Sequence, residues 1–552
     1  MTNMADIHPS NGRPASFDEK HDEKHDSSGK SSLAAGDESP TRLENGKADT
    51  ALLLNEQEIL ARVRAHPDDA TPIFLTFSKH DSDNPRQWPK WKKWYITCFA
   101  SFLNVITCLC AGGYSSAQDD IIEVFGVSAE VATLGLSMYI LGFAVGPMVL
   151  APLSEYYGRS PVYIGSWFIL FIFQLPVALA PNIATVIVCR FIQGFGGSAP
   201  LTNTGGSISD VWERNDSGNA MMIYGVSSTF GPPFALVLSG YIVQRTTWHW
   251  LFWIFMIITG CLWVLMVFTL PETRHSTILE RKAKQLRKVL GKEGVSGAAL
   301  QNISDVANKL EKRSLHSLFA VQLVRPFRFL FTEPITMGAA AYNGFIYGVV
   351  YLFNEAIPKV FADGHDFTVG EWGCAFAGIA IGVLIAACFY PLQERYYLRR
   401  VAENDGKGVP EARMWQARFG ALLLPISLFW FAWTSYPSVH WIVPIIASSL
   451  FGAGIYIVIL GVLNYVVDSY QTYSASALAG VILIRNLVGA GFPLFASQMY
   501  DKLGNEWAST LLAFLAILFV PIPIWWFYRG EQLRLKSPWA REHFSQDEDA
   551  PH

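Results

Sequence analysis

Charged residues are scarce in this sequence. Asp, Glu, Lys and Arg make up 16% of the 552 residues, whereas a typical soluble protein contains about 25%. The scarcity is greater in the body of the chain, because 29 of the 42 basic and 46 acidic residues precede Trp94. So few polar groups can hardly cover a folded surface. The composition therefore argues against a soluble multidomain enzyme.

Several motifs of enzymes and metalloproteins are also absent. The seven cysteines include no CxxC pair and all lie in or beside apolar runs, which argues against a disulfide framework or a zinc site. No GxxxxGK[ST] loop is present, which argues against ATP-driven transport. No apolar stretch lies near Met1, so a cleaved signal peptide is not expected. We expect no catalytic residues, no metal site and no cofactor.

Apolar runs of about 20 residues dominate the sequence after Trp94, and a helix of this length crosses about 30 Å of hydrocarbon. They predict twelve transmembrane helices, at 94–113, 131–152, 162–180, 183–206, 219–242, 248–270, 334–356, 372–391, 415–434, 441–466, 474–497 and 507–528. The longest polar interruption divides these spans six and six. We therefore predict an all-α membrane protein with six-helix halves at 94–270 and 333–528, separated by a cytoplasmic loop at 271–332.

The remaining segments are polar and are expected in the cytoplasm. Residues 1–93 are predicted to form a tail that is disordered up to about residue 50, with a short amphipathic helix at 51–65. Residues 529–552 are predicted to form a second tail. With both termini inside, 37 of the 42 Lys and Arg residues fall on the cytoplasmic side, which agrees with the positive-inside rule.

A short internal repeat follows the second span of each half. The pattern P-L-x-E-x-Y occurs at 152–157 and again at 391–396, with its acid at Glu155 and Glu394. Two parallel six-helix halves are the layout of one large transporter class, which binds its substrate near the midplane between the halves. In the first copy, Gly158 allows a tight reversal, and Arg159 follows it. Glu155 is a candidate to face a helix N-terminus of the other half. The alternative is an ordinary polar turn.

Ionisable groups inside the spans are the strongest residue-level signal, because each is costly at a helix centre. The three clear cases are Arg190, Arg485 and Glu355. In one interpretation Glu355 carries a proton while substrate binds between the halves. In the other, Glu355 reaches water at the headgroup level, and the arginines pair with backbone carbonyls or Tyr hydroxyls. The candidate substrate and proton pathway consists of Asn104, Arg190, Gln193, Asn343, Tyr347, Tyr351, Glu355 and Arg485.

Several motifs together resemble one known family. They are N-P-R-Q-W-P at 84–89, P-L-S-E with Y-G-R at 152–159, R-F-I-Q-G at 190–194, P-E-T-R at 271–274 and P-E-A-R at 410–413. From about residue 84 to 526 the sequence resembles the twelve-span fungal drug:proton antiporters, multidrug or polyamine exporters within the major facilitator superfamily.

The resemblance implies the major facilitator fold and roles for two further groups of residues. One group is a cytoplasmic latch that holds the halves together in one access state, formed by Leu153, Glu155, Gly158, Arg159 and Glu394. The other is the antiporter motif of the fifth span, to which Gly231, Pro232 and Gly240 fit. Ala235-Leu236 and Ser239 depart from that motif, and Gly231-Pro232 is also consistent with a simple kink.

The leading functional hypothesis is a transporter in the plasma membrane that exports small organic compounds in exchange for protons. The expected partners are the substrate, protons and the lipid bilayer, with the proton gradient as the energy source. Nucleic acid is not expected, and one bundle is expected to work as a monomer. Two buried arginines against one carboxylate favour neutral lipophilic compounds or organic anions over polyamines. The alternatives are an uptake symporter or facilitator, and a membrane sensor that transports nothing.

Overall fold

The computed structural model describes residues 52–65, 73–78, 81–213, 216–292, 303–305, 315–537 and 539–540. The first half consists of six long helices, which we number as spans. Their bounds are Lys90–Gly112 (span 1), Ala129–Tyr157 (span 2), Arg159–Ile172 with Gln174–Ala178 (span 3), Ile183–Val211 (span 4), Gly218–Arg245 (span 5) and Trp248–Thr269 (span 6). Span 1 continues through a 3₁₀ turn, Gly113–Ala117, into the short helix Gln118–Phe125.

The second half repeats this pattern. Its bounds are Pro334–Pro358 with the π-helical turn Lys359–Asp363 (span 7), Val369–Ala375 with Ala377–Glu403 (span 8), Met414–Thr434 after the turn Pro410–Arg413 (span 9), Ile442–Tyr470 (span 10) and Ser474–Gly491 (span 11). The helices Pro493–Phe519 and Pro521–Lys536 complete the half. The main chain leaves the helical conformation at Gly504, so span 11 continues to that turn and span 12 begins after it.

The predicted spans all lie in helices, so the all-α fold is confirmed. In the described ranges, eleven helical segments are long and apolar enough to cross a membrane. Span 4 is not among them, because polar residues such as Arg190 and Gln193 lower its hydropathy. Several helices extend beyond the predicted runs; span 4, predicted at 183–206, ends at Val211. Hydropathy marks the apolar part of a helix, whereas backbone hydrogen bonding continues into the polar surface.

The two halves pack in the same way. In the first half span 2 packs on span 4, span 1 on span 5 and span 3 on span 6, and the second half pairs spans 8 and 10, 7 and 11, and 9 and 12. Between the halves, span 5 lies against span 8 and span 2 against span 11. This pseudo-symmetry places spans 1, 5, 7 and 11 around the centre of the molecule.

A small layer of structure lies beside the spans, and its sheet was not predicted from the sequence. Three parallel strands, Leu52–Leu54, Ile73–Leu75 and Ile303–Asp305, form a sheet in that order. The helix predicted at 51–65 is observed at Glu56–Ala65. Asn55 and Glu58 exchange backbone and side-chain hydrogen bonds of 2.8 and 3.0 Å, so the helix begins after Asn55 and the leucines before it are free to pair as a strand.

The segment before span 1 is docked on the loop between the halves. Ile59, Val63 and Leu75 are buried against the loop helix His275–Lys292. Lys282 Nζ lies 2.7 Å from Asp81 and 3.0 Å from Asp83. Burial alone would lower the pKa of Lys282, but the hydrogen bonds and charges of the two aspartates outweigh it and raise the pKa. The predicted disordered tail, residues 1 to about 50, and most of the second tail lie outside the described residues.

Candidate functional site

The face of the molecule that carries the helix His275–Lys292 and the start of span 1 is called the loop side, and the opposite face the far side. Midway between them, a polar cluster lies where both halves meet. Its centre is Arg485 of span 11, whose side chain is 3% exposed. The guanidinium carbon lies 4.5 Å from the centre of the Tyr347 ring, and Nε donates to Asn486 Oδ1 at 3.3 Å. Arg485 Nη2 has no hydrogen-bond partner among the residues that the structure describes.

Two tyrosines of span 7 line the same cluster. The rings of Tyr347 and Tyr351 meet edge to face with centres 5.2 Å apart, and both are buried. Within the described chain neither hydroxyl bonds to a residue outside this pair. Tyr347 and Tyr351 therefore lie on one face of span 7, beside Arg485. Asn343 differs, because its Nδ2 donates to the Ala339 carbonyl of its own helix at 2.9 Å.

Span 1 contributes Asn104 from the first half. Its Nδ2 donates to the hydroxyls of Ser227 and Ser228 in span 5, at 3.0 and 2.8 Å. Its Oδ1 is buried without a partner in the described part of the chain. Cys108, one turn further along span 1, lies within electrostatic range of Arg485. The cluster thus joins spans 1, 5, 7 and 11.

One hydrogen bond crosses between the halves at this depth. Asn486 Nδ2 donates to the backbone carbonyl of Phe143 in span 2 at 2.9 Å. In a regular helix that carbonyl would accept from residue 147, but Pro147 has no N–H. The proline therefore leaves an acceptor that Asn486 takes up, while the other end of the same amide accepts from Arg485.

The second buried arginine is bonded very differently. Arg190 donates to the carbonyls of Gly135, Cys110 and Ala111 at 3.2, 2.6 and 3.0 Å and to Gln193 Oε1 at 3.3 Å. Its guanidinium carbon also lies 4.8 and 4.2 Å from two ring centres, those of Tyr114 and Tyr139. Span 1 changes to a 3₁₀ turn after Gly112, and the cation offsets the partial negative charge of the carbonyls at that helix end. This arrangement fits the structural interpretation of Arg190.

Gln193 extends the hydrogen bonds of Arg190 to span 3. Its Nε2 donates to the Phe173 carbonyl at 2.8 Å and to Gln174 Oε1 at 3.1 Å. Both Arg190 and Gln193 are therefore occupied within the first half, and the structure does not bring them into the cluster around Arg485.

Glu355 lies on the far side of the cluster in span 7. It is half-buried, and its Oε1 has no hydrogen-bond partner within the described ranges. Its neighbour Asn354 donates to Ser115 Oγ at 3.3 Å and so links the two halves. Lys359, one turn further, forms an ion pair with Asp501. Glu355 is thus near the rim of the bundle and remains separate from Arg485.

Glu333 is a buried carboxylate that the sequence treated as a span boundary. It lies at the loop-side end of span 7 with a fully buried side chain. Tyr470 Oη donates to its Oε2 at 2.9 Å, and its Oε1 is unpartnered among the described residues.

On the loop side, the first half contains a network of charges around Arg159. Gly158 adopts φ +101°, which favours glycine and lets the chain reverse between spans 2 and 3. Arg159 Nη1 donates to Ser154 Oγ at 2.7 Å, and Nε lies 3.3 Å from Asp210 Oδ2. Glu272 accepts from the backbone N–H of Arg159 at 2.8 Å, at the N-terminus of span 3, where a negative charge is favoured. Leu153 and Glu155 are half-buried at the end of span 2.

The second half has an equivalent network around Arg413. Its Nη1 and Nε each lie 2.9 Å from a carboxylate oxygen, of Glu394 and Asp468 respectively. The Glu394 carboxylate also packs directly on Gly218, where a Cβ would collide with it. Because Gly218 begins span 5 of the first half, this acid lies at a helix N-terminus of the other half.

The residues of the span-5 motif pack against two different neighbours. A Cβ at Gly231 would lie 2.6 Å from Cys108 Cβ of span 1. A Cβ at Gly240 would lie 2.8 Å from the Val369 carbonyl of span 8, which belongs to the other half. Pro232 lies within span 5 without ending the helix. Gly240 therefore permits close contact between the halves on the far side.

Sequence reasoning missed Asn486 and most of the acids of the loop-side networks. Two signals were present in the sequence. Pro147 stands four residues after Phe143, and Glu272 belongs to the P-E-T-R motif after span 6. Neither signal identifies the residue that forms the hydrogen bond, because Asn486 lies on span 11 and Arg159 on span 3.

Residues 100–492 match the family model of the Major Facilitator Superfamily. The chain is 38% identical over 480 residues to the efflux pump FUB11 of Gibberella moniliformis, an alignment that covers 86% of this chain and 80% of the relative. It is 34% identical over 488 residues to the major facilitator superfamily multidrug transporter mdrA of Aspergillus fumigatus, with 88% and 79% covered.

Among solved structures, the proton:xylose symporter XylE has a TM-score of 0.57 at 16% identity, and the match covers 80% of this chain and 96% of that one. This likeness shows the fold alone. Together with the fungal efflux and multidrug relatives, it confirms the family that the sequence motifs indicated. The chain therefore belongs to the Major Facilitator Superfamily, and it is a multi-pass membrane transporter of small compounds rather than an enzyme.

Proposed function

We propose that the protein exports small organic compounds in exchange for protons by alternating access. The observation that carries the proposal is the cluster around Arg485, where buried polar atoms of both halves face one another at mid-depth. The similarity to an efflux pump and to a multidrug transporter supports export as the direction.

The proposed orientation places the loop side in the cytoplasm of a cell whose plasma membrane the protein spans. It is supported by the distribution of charge. Among the described residues, the basic side chains on far-side segments are those of Arg245, Lys359 and Lys502, and those deep within the spans are Arg190 and Arg485. The other described Lys and Arg residues lie toward the loop side, as the positive-inside rule requires. Both termini are then cytoplasmic, and one chain contains the whole pathway.

Alternating access requires contacts that separate on one side while they form on the other. On the far side, the Gly370 N–H donates to Gln244 at 3.1 Å and Gln498 to Glu130 at 2.6 Å. On the loop side, Glu394 lies against the start of span 5. We assign the far-side contacts to the outer gate, and the turn of Leu153, Glu155, Gly158 and Arg159 with Glu394 to the cytoplasmic latch.

Glu355 is the proposed proton carrier. It is half-buried, one of its oxygens is unpartnered in the described chain, and it lies between the central cluster and the far side. A proton-coupled step needs a group whose surroundings change between the two access states. Opening of the far side would expose this carboxylate to water, and closing would bury it.

The experiment is transport into proteoliposomes with an imposed pH gradient, with a panel of neutral and anionic aromatic compounds and protein-free vesicles as the baseline. The proposal expects accumulation driven by the gradient and abolished by a protonophore. Movement of a compound in the same direction as the protons, or no transport of any compound, would contradict the proposed antiport.

The proton site is tested separately with Glu355→Gln and the exposed far-side control Glu123→Gln. We expect Glu355→Gln to abolish gradient-driven accumulation while substrate exchange at equal pH continues. Glu123→Gln should behave as the unmodified protein. Full proton dependence in Glu355→Gln would remove this residue from the role.

A further inference from the structure

Arg485 carries a charge that the described chain does not neutralise. An arginine guanidinium stays protonated in proteins. None of the ion pairs found among the described residues includes Arg485, whereas Arg159, Arg413 and Arg534 each lie against a carboxylate. Within the described chain its side chain makes one hydrogen bond, to the neutral amide of Asn486 at 3.3 Å.

A buried charge without a partner is costly, and one ligand chemistry would offset that cost. A carboxylate matches the planar fork of a guanidinium and accepts two parallel hydrogen bonds from it. Arg485 Nη2, buried and unpartnered within the described residues, is available for such a bond. The Nε atom, in contrast, is directed to Asn486.

The surroundings of Arg485 favour an acid with a flat apolar body. The rings of Tyr347 and Tyr351 form one wall, and their hydroxyls make no bond to other described residues. Asn104 Oδ1, also unpartnered in that part of the chain, offers a single acceptor from span 1. A substrate with a carboxylate at one end and an aromatic ring beside it would satisfy the cation and pack on the tyrosines.

We propose that the transporter recognises small aromatic carboxylates, with Arg485 as the residue that binds the carboxylate. The inference rests on the proposed function for its location between the halves, but it concerns binding and is tested without transport. Arg190 does not compete for the ligand, since its donors are occupied by carbonyls and by Gln193.

The test is equilibrium binding of 1-naphthoate and of its neutral counterpart 1-naphthamide to the purified full chain in lipid nanodiscs. We expect the unmodified protein to bind the acid more tightly than the amide. Arg485→Gln should weaken binding of the acid by roughly 10- to 100-fold and leave the amide unchanged, because hydrogen bonds to a charged group are the ones removed. The exposed Arg399→Gln serves as the charge-matched control and should change neither affinity.

Equal affinity for the acid and the amide, unchanged binding of the acid to Arg485→Gln, or no binding of the acid to the unmodified protein would overturn the inference. A folded Arg485→Lys variant guards against loss of structure, and it should bind the acid with intermediate affinity because a point charge replaces the fork. If the acid binds as expected but no gradient drives its movement, the proposed function fails while this inference stands.

Discussion

Arg190 and Arg485 are both buried inside spans, and the described chain satisfies their hydrogen-bond donors to very different extents. Arg190 is fully buried and donates to three carbonyls and one amide within the first half. Arg485 is 3% exposed, and among the described residues its side chain makes one long hydrogen bond and stacks on the Tyr347 ring. Burial alone therefore does not distinguish a structural cation from a binding one. The number of guanidinium N–H groups that already have an acceptor distinguishes the two.

The difference follows from the backbone near each side chain. Arg190 lies beside the point where span 1 changes to a 3₁₀ turn, and it binds two carbonyls of the last helical turn. Arg485 lies in the middle of span 11, where the carbonyls are used by the helix itself. The first cation thus stabilises a helix end, and the second is left for a ligand.

The largest effect is expected from Arg190→Leu. The substitution removes the donor of the Cys110 and Ala111 carbonyls at the end of span 1, and each carbonyl left without a donor costs about 1–3 kcal/mol. We expect a large loss of folded protein and a lower unfolding temperature in detergent. Arg485→Leu should change the free energy of unfolding by less than about 1 kcal/mol, or increase it, because it removes an unpaired buried charge. Equal destabilisation by the two substitutions would invalidate the comparison.

The next effect concerns the contact between the halves on the far side. Gly240→Ala places a methyl group against the Val369 carbonyl, so spans 5 and 8 must separate. We expect the native Cys374, whose Sγ lies 3.6 Å from Tyr241 Oη at this contact, to react faster with a membrane-impermeant maleimide. Gly165→Ala is the control, because a Cβ there meets nothing within 4 Å. Unchanged labelling in Gly240→Ala would remove this glycine from the gate.

A smaller effect is expected from the bond between Asn486 and Phe143. Asn486→Ala leaves the Phe143 carbonyl unpartnered and should cost about 1–3 kcal/mol. Pro147→Ala supplies the N–H that span 2 lacks, so in that background Asn486→Ala should cost clearly less. A double-mutant cycle on unfolding stability measures the difference. Additive costs would show that the proline does not create the acceptor.

The smallest effect is a pH dependence of the segment docked before span 1. Burial lowers the pKa of His275 from its ordinary value of 6.5, and Arg86 and Arg274 lower it further while Asp210 opposes them. The neutral ring packs edge to face on Phe77, with centres 5.8 Å apart. His275 takes up a proton more readily when the segment before span 1 has separated from it. The docking of that segment should therefore weaken as the pH falls below 6.5.

Hydrogen exchange of residues 73–78, corrected for the intrinsic effect of pH, measures this docking. We expect faster exchange on the acidic side of pH 6.5 and no such change in His275→Phe. A pH dependence that persists in His275→Phe would assign it to another group.

The sequence predicted the twelve spans and their division, because hydrocarbon thickness fixes the length of an apolar run. It also proposed Arg485, Tyr347 and Tyr351 for the substrate and proton pathway, since ionisable and polar residues inside an apolar span are visible in the sequence, and their role stays a prediction. It did not separate Arg190 from Arg485, because the carbonyls that Arg190 binds and the Tyr347 ring beside Arg485 lie 55 or more residues away in the sequence. Asn486 was missed for the same reason, because the Phe143 carbonyl that it binds lies on span 2. The small sheet was not predicted because strands of three residues are too short to show the alternation of apolar and polar residues that marks a strand.

The most direct measurement is the reactivity of Cys108, a native thiol in the central cluster, in a variant that retains it as the sole cysteine. Vesicles of known orientation would be treated with a charged, membrane-impermeant thiol reagent from one side or the other. The account predicts that Cys108 reacts from both sides and that saturating 1-naphthoate slows both reactions. Reaction from one side only, or from neither, would contradict alternating access through a site at Arg485.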